Sequence, residues 1–204
     1  MTKTACACEA LNLDGLPGLS KIVCLDEVES TQAVGRELAL EGTAEKTLVL
    51  AETQTAGKGR LGREWESGPG GIYMTLLLKP ETGVKFLPHL SVLSGEAVAE
   101  TITEIYGIKT RIKKPNDVYA WHPRRRKWLK LAGILTESSS INKDASWLLL
   151  GVGVNLNNTP TLDTAVSVKA IKGAAVSREE FLQAFFRNFW VEYSAWEYGS
   201  QAKS

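Results

Sequence analysis

Two histidines and three cysteines are the only imidazole and thiolate ligands that this 204-residue chain offers a transition metal. His89 and His122 stand alone in the sequence, and Cys6-x-Cys8 has no further ligand nearby, so no metal site is expected. An odd number of cysteines gathered toward one end (Cys6, Cys8, Cys24) does not make a disulfide framework, which suits a reducing, cytoplasmic setting. No apolar run reaches the roughly 18 residues of a membrane span, and the first residues lack the charged-then-apolar pattern of a secretion signal. Charge of one sign is lacking too. A net charge of +1 exerts no global pull on nucleic acid or membrane, so any electrostatic function must come from local clustering. Internal repeats, low-complexity tracts and long linkers are all missing. With 44% hydrophobic and 23% charged residues, the composition is that of an ordinary globular chain of one domain or at most two.

What the chain does contain is concentrated in Ala51 to Trp65, AETQTAGKGRLGREW. Three glycines (Gly57, Gly59, Gly62), three cations (Lys58, Arg60, Arg63) and Trp65 fall within nine residues, directly after an apolar strand-like run. Glycines let successive N–H groups face one point and the cations draw an anion there, which suits a phosphate-bearing ligand. A solvated basic hairpin loop is the plainer alternative. The spacing Gly57-x-Gly59-x-x-Gly62 also fits a dinucleotide-binding turn, but the residues after it, Ser67-Gly68-Pro69-Gly70-Gly71, break helices where that turn must open one. A Walker loop is excluded as well, because Gly59 follows Lys58 where the magnesium-binding hydroxyl is needed.

In chain order, residues 1–20 read as a loosely held extension and 21–204 as a single domain. Strands are expected at Lys21–Asp26, Thr47–Glu52, Ile72–Lys79, Thr110–Lys113, Leu131–Glu137 and Trp147–Val154. Ser30 or Thr31 caps a helix that stops at Gly42, and capping alone would explain Ser30-Thr31-Gln32. A second helix runs from Pro88 to Tyr106 with Leu90, Leu93, Ala97, Ile102 and Ile105 on one face. A third follows the capping box Ser177-x-x-Glu180, and its Phe181, Phe185, Phe189, Trp190 and Tyr193 read as core. Lys113-Lys114-Pro115-Asn116-Asp117 presents an amide and a carboxylate at a turn, and turn chemistry alone would account for both. Lys130, at the mouth of an apolar strand, has a snorkelling surface residue as its plain reading. The basic run His122 to Lys127, HPRRRK, reads as a solvated hairpin tip, because no aromatic platform or second basic stripe accompanies it in the sequence.

Four segments together resemble the catalytic domain of a biotin protein ligase: Glu29-Ser30-Thr31-Gln32, Ala51 to Trp65, Lys113 to Asp117, and Lys130 to Leu135 (KLAGIL) with Gly151 to Asn155. The resemblance implies an α/β (α+β) fold, a mixed β-sheet flanked by helices like that of class II aminoacyl-tRNA synthetases and lipoate ligases. It implies an enzyme that joins biotin to ATP, with Mg2+, to give biotinyl-5′-AMP and pyrophosphate, then passes biotin to a lysine of a biotin carboxyl carrier protein or domain. No nucleic-acid or membrane partner is implied, and a homodimer is one oligomeric option.

Ser30, Thr31 and Gln54 then match the groups around the ureido ring of biotin, and Gln32 is among the implied substrate-binding residues. Lys58, Gly59 and Arg60 match the carboxylate and α-phosphate, Arg63 the β/γ-phosphates, and Trp65 a side chain that closes over the ligand, with Gly57 also among the implied substrate-binding residues. Lys130, Arg60 and Asp117 are the implied catalytic groups, with Lys113 and Asn116 beside them and Gly133, Gly151 and Asn155 as the pocket floor. Three departures accompany the resemblance. Lys58 stands where arginine is usual, Lys114 where tryptophan is usual before Pro-Asn-Asp, and neither a C-terminal β-domain nor an N-terminal helix-turn-helix is expected. The alternatives are a lipoate or octanoate ligase of the same fold, and a biotin- or adenylate-binding module without transfer activity.

Overall fold

The computed structural model describes residues 11–80, 87–141 and 144–201. Its centre is a seven-stranded sheet in the order β1-β2-β3-β7-β6-β5-β4, built from β1 (Lys21–Val28), β2 (Thr47–Gln54), β3 (Ile72–Leu78), β4 (Thr110–Lys113), β5 (Asp117–His122), β6 (Lys127–Ile141) and β7 (Asp144–Val154). Only β1 and β2 pair in parallel, and the helix between them, α1 (Thr31–Leu40), makes that crossover. Every other pairing between these strands is antiparallel. The remaining helices are α2 (Leu87–Tyr106), the short α3 (Val168–Lys172) and α4 (Arg178–Gln201). The expected strands and long helices are all present, while β5 and α3 had not been anticipated.

The two faces of the sheet have different tasks, and the period-2 alternation of the strands assigns them. Ile72, Met74, Leu76 and Leu78 of β3, with Leu148, Leu150, Val152 and Val154 of β7, point into the main core. That core is closed by Leu90, Ala97 and Ile102 of α2 and by Phe181, Phe185 and Phe189 of α4, all essentially inaccessible. Ala39, Leu77, Trp147 and Leu149 form a smaller cluster under α1 on the opposite face. A Cβ at Gly35 would lie 3.0 Å from Thr75 and 3.2 Å from Leu149, so glycine lets α1 settle close to the sheet there. Helix α1 packs chiefly on β2, β3 and β7 and reaches β6 through Gln32 and Arg36, which leaves this face open mainly over β4 and β5.

Two expectations need correction. Residues 11–20 are held rather than loose. Leu16 is buried in the main core, the Trp190 indole donates to the carbonyl of Pro17 at 2.7 Å, and the amide of Asn12 donates to Glu179 at 2.6 Å. Their leucines recur without a helix or strand period, so the pattern gave no sign of burial, and residues 1–10 of that extension lie outside the described residues. Cys24 is disulfide-bonded. An odd cysteine count argues against a framework of bridges but does not forbid a single one.

Candidate functional site

The open face carries a cleft of about 200 Å³ over the centre of the sheet, lined from α1, the glycine loop and strands β5 to β7. Its floor is made of glycines because other groups occupy the space a side chain would need. A Cβ at Gly151 would lie 3.2 Å from the Gln32 amide. One at Gly153 would lie 2.5 Å from the Trp65 indole nitrogen, and one at Gly133 would lie 3.0 Å from the far edge of the same ring. The indole therefore rests on paired Gly133 and Gly153 as part of the floor, where the sequence suggested a side chain closing from above.

The cleft has a neutral end and a cationic end. At the neutral end the Ser30 hydroxyl caps α1 by accepting from the amide of Gln32 at 3.2 Å. The Gln54 carbonyl oxygen accepts from the amide of Thr31 at 2.8 Å and from its hydroxyl at 3.2 Å. The Gln54 amide donates to Ser67 at 2.7 Å, and the Thr75 hydroxyl donates to Thr31 at 2.9 Å. The residues that cap α1 thus also line the cleft. Ser67 and Thr75, both buried, were missed in the sequence. The only sign of Thr75 was a polar residue in the apolar run IYMTLLL, which a strand interior normally tolerates. The Gln32 side chain donates to the carbonyl of Leu135 at 3.3 Å, and its own oxygen, fully buried, has no partner. The Trp65 indole N–H is likewise buried and unpaired. Two unsatisfied polar atoms, one acceptor and one donor, thus belong to residues that line the cleft, and such groups each cost about 1–3 kcal/mol until something pairs them.

The cationic end lies past Trp65. Lys130 Nζ sits 2.7 Å from Asp117 Oδ1 and 5.3 Å from the centre of the Trp65 ring. With its side chain about 31% exposed, it is fixed between a carboxylate and an aromatic face and is not a snorkelling surface residue. A β-bulge puts it there. The β5–β6 register shifts between Val118 and Tyr119, so that Val118 faces Ala132 and Tyr119 faces Lys130, with Leu131 as the extra residue. Leu131 and Ala132 both enter the core, while Lys130 and Gly133, three apart, both line the cleft. Beyond the bulge Lys130 pairs with residues 164–166 through its amide and carbonyl, at 2.8 and 2.9 Å.

The glycine loop closes the same end. The amide of Gly59 donates to Arg63 at 2.7 Å and that of Trp65 to Gly57 at 2.8 Å, folding the loop into a narrow hairpin. The Arg60 guanidinium donates to Asn116 at 3.3 Å, and Asn116 in turn donates to the carbonyl of Ile134 at 3.0 Å. Lys58, Gly59, Arg60 and Arg63 all line the cleft, as do Asn116 and Asp117. The Tyr73 hydroxyl, also at the cleft, donates to the carbonyl of Gly68 at 2.7 Å; burial foremost, then Glu52 and Glu66, hold its phenol well above the usual range.

Three predicted site residues stand outside the cleft lining. Lys113 is exposed, with its ammonium 5.9 Å above the Tyr119 ring. Asn155 is buried beneath the floor, where it accepts from Asn158 at 2.9 Å and its amide donates to Leu131. Gly57 serves the turn itself, since a Cβ there would meet the carbonyl of Trp65 at 2.3 Å. Each lies within three residues of a group that does line the cleft, a difference that spacing alone does not reveal.

A helix N-terminus, a glycine floor and a cationic hairpin over one face of a mixed sheet define the class to which this chain belongs. Residues 24–155 match the biotin/lipoate A/B protein ligase family, and the chain is a member of it. Within that family it is similar to biotin ligases. It is 35% identical over 175 residues to the bifunctional ligase/repressor BirA of Bacillus subtilis, covering 82% of this chain and 52% of that protein. To the biotin–[acetyl-CoA-carboxylase] ligase of Paracoccus denitrificans it is 36% identical over 78% of this chain and 67% of the relative. The biotin protein ligase of Aquifex aeolicus, solved in complex with biotin and ATP, superposes with a TM-score of 0.74 at 30% identity, over 88% of this chain and 72% of that one. The chain thus spans about half the length of the Bacillus relative.

Proposed function

We propose that this chain is an ATP-dependent biotin protein ligase. The observation that carries the reading is the division of one cleft into a neutral end, at Thr31, Gln32 and Gln54, and a cationic end, at Lys58, Arg60, Arg63 and Lys130. A biotin molecule needs both. Its uncharged ureido ring has N–H donors and a carbonyl to pair, and its valerate carboxylate must approach a polyphosphate. In the first step a carboxylate oxygen attacks the α-phosphorus of ATP and pyrophosphate leaves. In the second, the neutral amine of an acceptor lysine attacks the acyl carbon, AMP leaves, and an amide forms. The acceptor is a biotin carboxyl carrier protein or domain.

The neutral end favours biotin over lipoate or octanoate. An apolar dithiolane or alkyl chain would leave the buried Gln32 oxygen unpaired, whereas a ureido N–H satisfies it. Replacing Gln32 with leucine is expected to weaken biotin binding roughly tenfold, the worth of one buried hydrogen bond, while leaving ATP affinity unchanged. Isothermal titration decides it, and equal biotin affinity in the variant would remove the role.

Magnesium enters with the nucleotide. Among the described residues no group of three His, Cys, Asp or Glu is placed to hold a metal, so the ion would ride on the ATP phosphates and neutralise part of their charge. At the cationic end, the chain's own part is to fix Lys130 through Asp117 and to fold the arginine loop over the same point.

The glycine floor gives a second test. With the Trp65 ring nitrogen 2.5 Å from any Cβ at residue 153, Gly153→Ala must displace the rigid indole and with it the surface under Lys130. Adenylation is expected to fall on the order of 100-fold, as for a catalytic group misplaced by an ångström. A variant that folds normally and keeps wild-type turnover would show that the indole need not lie there. The reading as a whole is tested by pyrophosphate release with biotin, lipoate and octanoate side by side. Release with biotin alone supports it, and biotin binding without release would leave a binding module.

A further inference from the structure

The half of the open face that α1 leaves bare is not a plain surface. Residues 109–130 carry nine of the chain's 24 Lys/Arg and one of its 23 Asp/Glu. The remaining residues therefore hold 15 cations against 22 acids, so a segment of net charge +8 faces a body of net charge −7. A chain that is nearly neutral overall is strongly polarised in space.

Strand register puts Arg111, Lys113 and Lys130 on the cleft's own face, while Lys127, paired with buried His122, starts β6 on the other side and the arginines of the tip belong to the turn. Val118, Ala120 and Leu129 point into the core, so Tyr119, Trp121, Trp128 and Lys130 share the opposite side with Asp117. Arg111 on β4 joins them, its guanidinium 5.7 Å from the Tyr119 ring and 4.8 Å from the Trp128 ring. Trp121 and Trp128 meet edge to face at 5.5 Å across the β5–β6 hairpin. The expectation that HPRRRK lacks an aromatic platform and a second basic stripe is thus overturned. Both exist, on neighbouring strands. The tip itself is braced against the loop beyond the cleft, because Arg125 pairs with Asp163 at 3.1 Å. Arg124 and Lys127 are exposed.

We infer that this face, running from the Arg124–Lys127 tip along β5 and β6 to Lys130, docks an acidic protein surface that flanks the acceptor lysine. The inference rests on the ligase reading for the identity of that lysine. Continuity is one reason, since the strands that carry the basic face also carry Lys130 and Asp117 at the reacting end of the cleft. Charge is the other: an acidic domain is drawn to this half and repelled by the rest of the molecule. Single-stranded nucleic acid is the lesser fit. Arg111 already covers the Tyr119 and Trp128 faces on which bases would stack.

The test is binding of a recombinant biotin carboxyl carrier domain with acidic residues around its lysine, followed by fluorescence anisotropy between low and high salt. The charge reversal R124E/K127E is compared with wild type and with the conservative R124K/K127R, all three with pyrophosphate release measured in the absence of carrier. The reversal is expected to weaken carrier binding at least tenfold at low ionic strength, with the gap closing as salt screens the charges, and the conservative variant is expected to match wild type. Adenylation should be unchanged in all three. Salt-independent carrier binding that is equal in all three would overturn the inference. So would tight binding of an oligothymidylate that R124E/K127E abolishes while carrier binding stays intact. If the chain forms no biotinyl-AMP yet binds the carrier through these charges, the docking face stands and the ligase reading falls.

Discussion

Lys130→Ala is expected to slow formation of biotinyl-5′-AMP by roughly two to three orders of magnitude, equivalent to about 3–4 kcal/mol of transition-state stabilisation. The reason lies in the reaction. A carboxylate and a triphosphate repel each other, and only fixed positive charge or a metal offsets that at the moment of attack. Lys130 is fixed by two independent contacts, the 2.7 Å pair with Asp117 and the Trp65 face. Its backbone is bonded on both sides to residues 164–166 as well, so the side chain can be removed without unravelling the strand. Biotin binding, which we propose to lie at the other end of the cleft, should be largely retained. Single-turnover pyrophosphate release against biotin affinity separates the two effects, and a mutant with near-normal turnover would return Lys130 to the status of a structural ion pair.

The second large effect is on stability. Phe185→Ala is expected to cost about 3–5 kcal/mol, because it opens a cavity at the middle of an aromatic row that has little room to collapse. Phe185 is 1% exposed and meets Phe181, Phe186 and Phe189 with ring centres at 6.1, 5.2 and 5.7 Å. For a domain of this size that is a fall in Tm on the order of 10 °C. Calorimetry or a denaturant midpoint measures it. A loss below about 1 kcal/mol would mean that α4 is an appendage and not a wall of the core.

Much of the architecture was legible because strong periodic signals met no opposing one. Ser30 before an amphipathic run, the Ser177-x-x-Glu180 box and the phenylalanine spacing of α4 all appear as read, with the Ser177 hydroxyl accepting from the amide of Glu180 at 3.1 Å. The glycine loop was legible for a different reason. Glycines and cations packed after an apolar strand have few structural uses, and Lys58, Arg60 and Arg63 do converge on the cleft. Short elements were less visible. β5 alternates buried and half-buried positions for only six residues, but its Val-Tyr-Ala-Trp run shows no polar alternation in the sequence, and the five residues of α3 hold too few turns to show a period.

The sequence by itself determined six of the strands and the long helices, the chemistry of the arginine loop and the resemblance carried by KLAGIL, since each rests on local periodicity or on residue types side by side. Tertiary structure decided the rest, and the reason is register. A one-residue bulge at Leu131 reverses the alternation of β6, which alone brings Lys130 and Gly133 to one face beside Asp117 and puts the Trp65 ring on the floor. The same alternation gathers Arg111, Tyr119, Trp121 and Trp128 from three strands into one polarised surface. Charges separated along the chain become a field only after strand pairing has set them side by side, so a near-zero net charge could not disclose it.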